Sequence, residues 1–158
     1  MGTAIIYTSS HGTTERIAQL LKAEINKNNT DIIKLKLRSI QNLNQYEQII
    51  IGTSIHAGRI PRNMQKFMLA NADVLKDKKL GLYLCCMYEG EKAQEQLKNA
   101  FPDLLSQHAV STQILGGEFL FEKMNFLERA IVRKVAGVKE SVSKIKMDEI
   151  KKFAKSFK

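Results

Sequence analysis

Several features that would indicate a function directly are missing from this sequence of 158 residues. No apolar run approaches the roughly 20 residues that a transmembrane helix needs. The dinucleotide fingerprint G-x-G-x-x-G and the Walker pattern G-x-x-x-x-G-K-[ST] are both absent after the first predicted strand, so NAD and ATP are poor candidate ligands. The histidines and cysteines have no spacing typical of metal ligands, and no metal site is predicted.

The remaining composition is typical of one globular domain, residues 1–158. The two cysteines, Cys85 and Cys86, are neighbours that would point to opposite faces of a strand, which makes them poor disulfide partners. We therefore expect two reduced thiols, one in the core and one at a strand end, with a redox-active pair as the alternative. The chain starts with an apolar strand and not with the regions of a signal peptide, so a cytoplasmic protein is expected.

Positive charge is concentrated towards the C-terminus. The net charge is +9, and 11 of the 25 Lys and Arg residues lie among residues 119–158, which hold five Asp and Glu. Such a region favours an acidic partner, such as membrane head groups, nucleic acid or an acidic protein, although a solvated helix face would have the same composition. No recognition helix or aromatic platform is present, so we predict no nucleic-acid binding.

Strand and helix patterns alternate along the chain, which predicts an α/β fold. The run Ile49-Ile50-Ile51 is typical of a strand buried on both faces. Right-handed crossovers then give a doubly wound, five-stranded parallel sheet in the order 2-1-3-4-5, with ligands beyond the carboxyl ends of strands one and three. The predicted strands are Thr3–Thr8, Asp31–Leu37, Gln48–Thr53, Lys79–Cys86 and Val110–Gly116.

Helices are predicted between these strands and after the last of them. Pro61 is expected at the first position of the second helix, where its missing N–H costs nothing. The last helix is expected at about Asp148–Phe157. The apolar faces of the first and third helices consist of Ile17, Leu20, Leu21 and Ile25, and of Ala93, Leu97, Ala100, Phe101 and Leu104, respectively.

Residues 117–147, called the insertion below, are too long for an ordinary connection before the last helix. One helical stripe is apolar and the opposite side is basic, which leaves three interpretations open: a core helix, an amphipathic lip over the ligand, or an interfacial membrane helix within residues 119–138. The apolar residues are Leu120, Phe121, Met124, Phe126, Leu127, Ile131, Val132, Val135 and Val138, and the basic ones are Lys123, Arg129, Arg133 and Lys134.

The most informative segment joins the first strand to the first helix. It reads Ser9-Ser10-His11-Gly12-Thr13-Thr14 and is called the phosphate loop below. Unpaired N–H groups and the helix dipole favour an anion at a helix start, hydroxyl groups add donors, and Gly12 permits close approach. Because the loop has no Lys or Arg, it suits a phosphate monoester held by neutral donors. A plain N-cap is the alternative interpretation.

This segment resembles the flavodoxin signature. The matching positions are Ile5, Ile6, Tyr7, Ser9, Gly12, Thr14 and Ala18. The resemblance implies a flavodoxin-like fold and FMN as the cofactor, with its phosphate in the loop from Ser9 to Thr14.

Two later loops are expected to border the isoalloxazine ring at the same end of the sheet. The second flavin loop is Ser54-Ile55-His56-Ala57-Gly58, where small residues permit close backbone approach and Gly58 permits a peptide to reorient. The third is Cys86-Met87-Tyr88, in which Tyr88 is expected to stack and Met87 to pack. No residue stands out as an acid–base catalyst, so the flavin is expected to perform the chemistry.

The stretch Ile51–Gly58 and the insertion around Met124–Val138 resemble menaquinone-dependent protoporphyrinogen oxidase, a flavodoxin-fold FMN family associated with the membrane. That resemblance implies oxidation of a porphyrinogen in haem biosynthesis, with electrons passed to quinone at the inner face of the cell membrane. The residues then expected to contact substrate or membrane are Arg59, Leu127, Arg129, Ile131 and Arg133. The alternative is a flavodoxin-like electron-transfer protein with a protein redox partner.

Overall fold

The computed structural model describes residues 2–36, 42–137 and 140–158. Five strands pair in parallel to form the central sheet: β1 (Gly2–Tyr7), β2 (Thr30–Lys34), β3 (Tyr46–Ser54), β4 (Lys79–Cys85) and β5 (Ser111–Ile114). Their order is β2-β1-β3-β4-β5, which confirms the predicted topology. Leu37, the predicted end of the second strand, lies outside the described residues.

The two faces of the sheet bury separate apolar clusters. On one face, α1 (Thr13–Ile25) and α7 (Met147–Lys155) pack around stacked Phe153 and Phe157 rings. Four helices cover the other face: α2 (Arg62–Ala70), α3 (Ala72–Lys76), α4 (Gly90–Ala100) and α5 (Asp103–His108). Helices on both faces explain why the Ile49–Ile51 run is apolar throughout, since all three side chains are fully buried.

The cysteines follow the predicted alternation. Both are free and buried, with Cys85 in the cluster of α1 and α7 and Cys86 in the opposite cluster. Burial raises the pKa of the Cys85 thiol to about 12, against a smaller lowering by the Thr14 side chain. The Cys85 thiol therefore stays protonated and unreactive at neutral pH.

Two helix predictions need correction. The helix predicted through Ala93 and Leu104 is two helices, because Pro102 cannot continue α4 and holds the preceding residue extended. Leu104 consequently lies on α5 with 42% of its surface exposed. Pro61 is the N-cap residue of α2, which begins one position later than predicted.

The insertion forms a small unit of its own. It consists of β6 (Glu118–Phe119), a 3-10 turn at Phe121–Lys123, α6 (Phe126–Ala136) and β7 (Val142–Ser143), and the two strands pair antiparallel. No residue of α6 is buried, so the interpretation as a core helix is wrong. Val138, part of the predicted apolar stripe, lies outside the described residues.

Candidate functional site

The phosphate loop forms a turn at the start of α1. Gly12 is the N-cap residue and has a left-handed backbone with φ of 92°, a conformation that glycine adopts without strain. Its N–H donates to Ser9 Oγ at 2.9 Å, which leaves the Ser9 hydroxyl proton available to a ligand. Within the described residues no side chain caps α1, so the amide groups of its first turn are available to an anion.

Buried polar contacts from the sheet fix the position of this loop. The Tyr83 hydroxyl donates to the Thr14 carbonyl oxygen at 2.9 Å, and burial raises the pKa of Tyr83 well above its usual value, which keeps the donor protonated. Gly52 makes room for this ring, because a β-carbon there would stand 2.0 Å from Tyr83 Cζ. The hydroxyls of Thr8 and Thr53 lie 2.8 Å apart and join the ends of β1 and β3.

The donor chemistry of the loop fits the phosphate of FMN. Its predicted donors are backbone N–H groups and neutral hydroxyls, which suit a phosphate monoester. Ser10 is exposed, whereas Thr13 and Thr14 are buried. One predicted donor is already engaged, since Thr13 Oγ1 lies 3.2 Å from a carboxylate oxygen of Glu118.

The second flavin loop makes a tight turn beside the phosphate loop. The backbones of His56 and Arg59 exchange hydrogen bonds of 2.8 and 3.1 Å. Between them Ala57 and Gly58 both have positive φ, 49° and 75°, the pattern of a type I′ turn. Ser54 Oγ lies 3.0 Å from His56 Nε2 and fixes the imidazole ring.

The third flavin loop lies after β4, at the same end of the sheet. The Cys86 thiol donates to Gln96 Oε1 at 2.9 Å. A β-carbon on Gly117 would stand 3.0 Å from Met87 Sδ, so Met87 packs against the start of the insertion. Tyr88 is 37% exposed, and the Lys92 ammonium lies 3.8 Å from the centre of its ring. Stacking of Tyr88 on the flavin stays a prediction.

Electrostatic contacts connect the phosphate loop, the second flavin loop and α6. The rings of His11 and His56 are 5.9 Å apart, and His11 Nε2 lies 2.6 Å from a carboxylate oxygen of Glu128. Desolvation lowers the pKa of His56, and the nearby His11 lowers it further, while the Glu128 carboxylate acts in the opposite direction. His56 is therefore neutral at pH 7.

Sequence reasoning missed the contribution of the insertion to the phosphate loop. The Glu118 side chain is fully buried, and its carboxylate accepts from Arg16 at 2.9 Å and from Ser143 at 3.0 Å, in addition to Thr13. Glu118 is separated from Arg16 by 102 positions. No local pattern indicates a pair so distant, because it depends on how the insertion folds back.

The residues predicted to contact substrate or membrane lie in different places. Arg129 donates to the Phe121 carbonyl oxygen at 2.6 Å, and the Arg133 guanidinium lies 5.5 Å from the centre of the Phe121 ring. Both arginines thus stabilise the insertion itself. Leu127 and Ile131 are 68% and 53% exposed on α6.

Arg59 is the remaining member of that predicted set. It lines a cavity of about 340 Å³ together with Ile55, Gln96 and Asn99.

Among residues 2–36, 42–137 and 140–158, no helix has the length and apolar character to cross a bilayer. Within the same residues, no cluster of three or more His, Cys, Asp or Glu is arranged to hold a metal.

Comparisons with known proteins agree with this fold. A flavodoxin from Streptococcus pneumoniae superposes with a TM-score of 0.64 at 14% identity, covering 99% of this chain and 97% of that one. Flavodoxin 1 from Bacillus cereus gives 0.59 at 18% identity, with the same coverage. Rubredoxin oxygen:oxidoreductase from Desulfovibrio gigas gives 0.61 at 12%, covering 99% of this chain and 35% of that one.

Family membership follows from the sequence match. No curated protein matches the chain at a significant level. The flavodoxin domain family, however, matches residues 4–146, nearly the whole chain. The chain therefore belongs to the flavodoxin domain family, and its cofactor is FMN.

Proposed function

We propose that the protein is an electron-transfer flavoprotein that exchanges electrons with a protein redox partner through FMN bound at the carboxyl ends of β1 and β3. The observation that supports the proposal is the phosphate loop, in which Gly12, Ser9 and the start of α1 present neutral donors to an anion. Bound FMN would supply one- and two-electron redox chemistry at its isoalloxazine ring.

The chain's own residues hold and shape the site. The contact of Tyr83 with Thr14 holds the phosphate loop, and the turn at Ala57 and Gly58 supports the proposal that backbone groups of the second flavin loop meet the ring. His56 is neutral at pH 7 and adds no positive charge there. A net charge of +9 favours an acidic redox partner.

The direct test is reduction of the FMN-loaded protein. Adding FMN to the apoprotein should quench flavin fluorescence, and a flavodoxin reductase should then bleach the visible absorption under anaerobic conditions. A protein that leaves FMN emission unchanged, or whose bound flavin accepts no electrons from any reductase tested, would contradict the proposal.

A second candidate function is oxidation of a porphyrinogen with transfer of electrons to a quinone at a membrane surface. The observation that favours it is the exposed apolar side of α6, which the contact between Glu128 and His11 attaches to the phosphate loop. Phe126 is 86% exposed and Val135 is 70% exposed, and Leu127 and Ile131 lie on the same helix. Such a helix with basic neighbours suits anionic head groups, and the basic protein suits a carboxylate-bearing substrate.

An anaerobic assay separates the two candidates. FMN-loaded protein is mixed with protoporphyrinogen, a menaquinone analogue is added, and porphyrin fluorescence is followed. Fluorescence that appears faster than in the blank and depends on quinone supports the oxidase. Fast reduction by a reductase without any acceleration of porphyrin formation supports the electron carrier.

A further inference from the structure

We propose that Lys123 of the insertion is a ligand of the FMN phosphate, so that binding of FMN fixes the insertion over the site. The inference rests on FMN being the ligand of the phosphate loop. Lys123 would add a cation to the phosphate loop, which has no Lys or Arg among its own residues, Ser9–Thr14.

The position of Lys123 supports this assignment. Its Nζ atom lies 3.0 Å from the point where a β-carbon on Gly12 would stand, directly against the N-cap of α1. Among the described residues Lys123 forms no ion pair within 4.0 Å. An ammonium group so close to the open amides of a helix start adds a charge-assisted contact to any phosphate bound there.

Two anchors on the phosphate loop hold the segment that contains Lys123. Glu118, which precedes Lys123 in the sequence, binds Thr13 and Arg16. Glu128, which follows Lys123, binds His11. Between the anchors Phe121 and Met124 are buried. The backbone of Lys123 is therefore fixed next to the loop even though its side chain is exposed.

The charges of the anchors explain why a cation is needed here. Glu118 and Glu128 place two carboxylates beside a loop that receives a phosphate with up to two negative charges. Like charges repel, and the Lys123 ammonium, 3.0 Å from the point where a β-carbon on Gly12 would stand, offsets that repulsion. Phosphate binding thus connects the loop to the insertion through Lys123.

The experiment compares FMN with riboflavin, which has the same ring and no phosphate. Apoprotein and its Lys123→Met, Lys123→Arg and Lys134→Met variants are titrated with each flavin, and Kd is obtained from fluorescence quenching. Lys123→Met should weaken FMN binding roughly tenfold, since a hydrogen bond between charged groups is lost, and should leave riboflavin binding unchanged. Lys123→Arg should retain most of the affinity for FMN. Lys134, an exposed residue of α6, is the matched control.

A second measurement follows the insertion itself. Chymotrypsin should cleave at Phe126 or Leu127, which are highly exposed, and FMN should slow this cleavage in the wild-type protein while riboflavin should not. In Lys123→Met the protection by FMN should be lost.

The possible failures can be told apart. An unchanged Kd for FMN in Lys123→Met, or an equal loss for riboflavin, would overturn the role of Lys123 and leave the cofactor intact. If neither flavin bound the wild-type protein, the proposed function would fail together with this inference.

Discussion

The central sheet and the insertion are stabilised by different interactions. In the sheet, Ile49, Ile50 and Ile51 are fully buried between helices on both faces. In the insertion, α6 buries no residue, and polar contacts of Glu118 and Glu128 attach the unit to the phosphate loop. Apolar burial responds little to salt, whereas polar contacts such as that of Glu128, whose side chain is 40% exposed, are weaker and screened by salt. We therefore expect the insertion to open locally before the sheet unfolds.

A matched pair of glycine substitutions gives the largest expected difference between the two regions. Gly52→Ala in β3 would place a β-carbon 2.0 Å from Tyr83 Cζ, and we expect a loss of about 3 kcal/mol or more in the free energy of unfolding. In Gly137→Ala, after α6, the new β-carbon would meet no atom within 4 Å. The loss should be about 1 kcal/mol, because alanine must adopt the left-handed backbone that Gly137 has at φ 66°. Urea unfolding measures both, and equal losses would contradict the comparison.

The exposed face of α6 gives the next largest effect, on membrane binding. If α6 contacts lipid, Leu127→Asp with Ile131→Asp should reduce co-sedimentation with anionic vesicles at least tenfold, on the order of 2 kcal/mol, because two apolar side chains no longer leave water. Leu69→Asp with Val110→Asp is the matched control, since those side chains are 67% and 52% exposed outside the insertion. Binding that falls equally in both variants would indicate charge alone, and unchanged binding would remove the membrane role.

The polar attachment of the insertion gives a comparable effect that is confined to the insertion. Glu118→Ala removes a fully buried carboxylate with three partners, and we expect the amides of residues 118–136 to lose about 2 kcal/mol of protection against hydrogen exchange. The amides of β1 and β3 should keep their protection. Asp73→Ala is the control, because its side chain is 94% exposed in an ion pair with Lys76. Loss of protection in the sheet as well would show that the two regions unfold together.

The same difference explains which parts of the structure could be predicted from the sequence. Buried strands such as Ile49–Ile51 and the turn around Gly12 depend on local pattern and backbone chemistry, and the sheet order followed from them. The end of α4 at Pro102 was missed although the signal was local. The contacts of Glu118 and Lys123 with the phosphate loop could not be predicted, since both join residues more than 100 positions apart.

The smallest expected effect tests the junction of the two regions at His56. Glu128 raises the pKa of His56 and His11 lowers it, so Glu128→Gln should lower this pKa further and His11→Asn should raise it. NMR titration of the imidazole signals measures both changes, with Asp73→Asn as the distant control.

Because folding lowers the pKa of His56 below its usual 6.5, the folded protein binds protons less readily than the unfolded chain. Stability should therefore fall slightly as the pH drops below about 6.5, and more so in Glu128→Gln. A His56 pKa that does not fall in Glu128→Gln would mean that α6 does not lie against the loops.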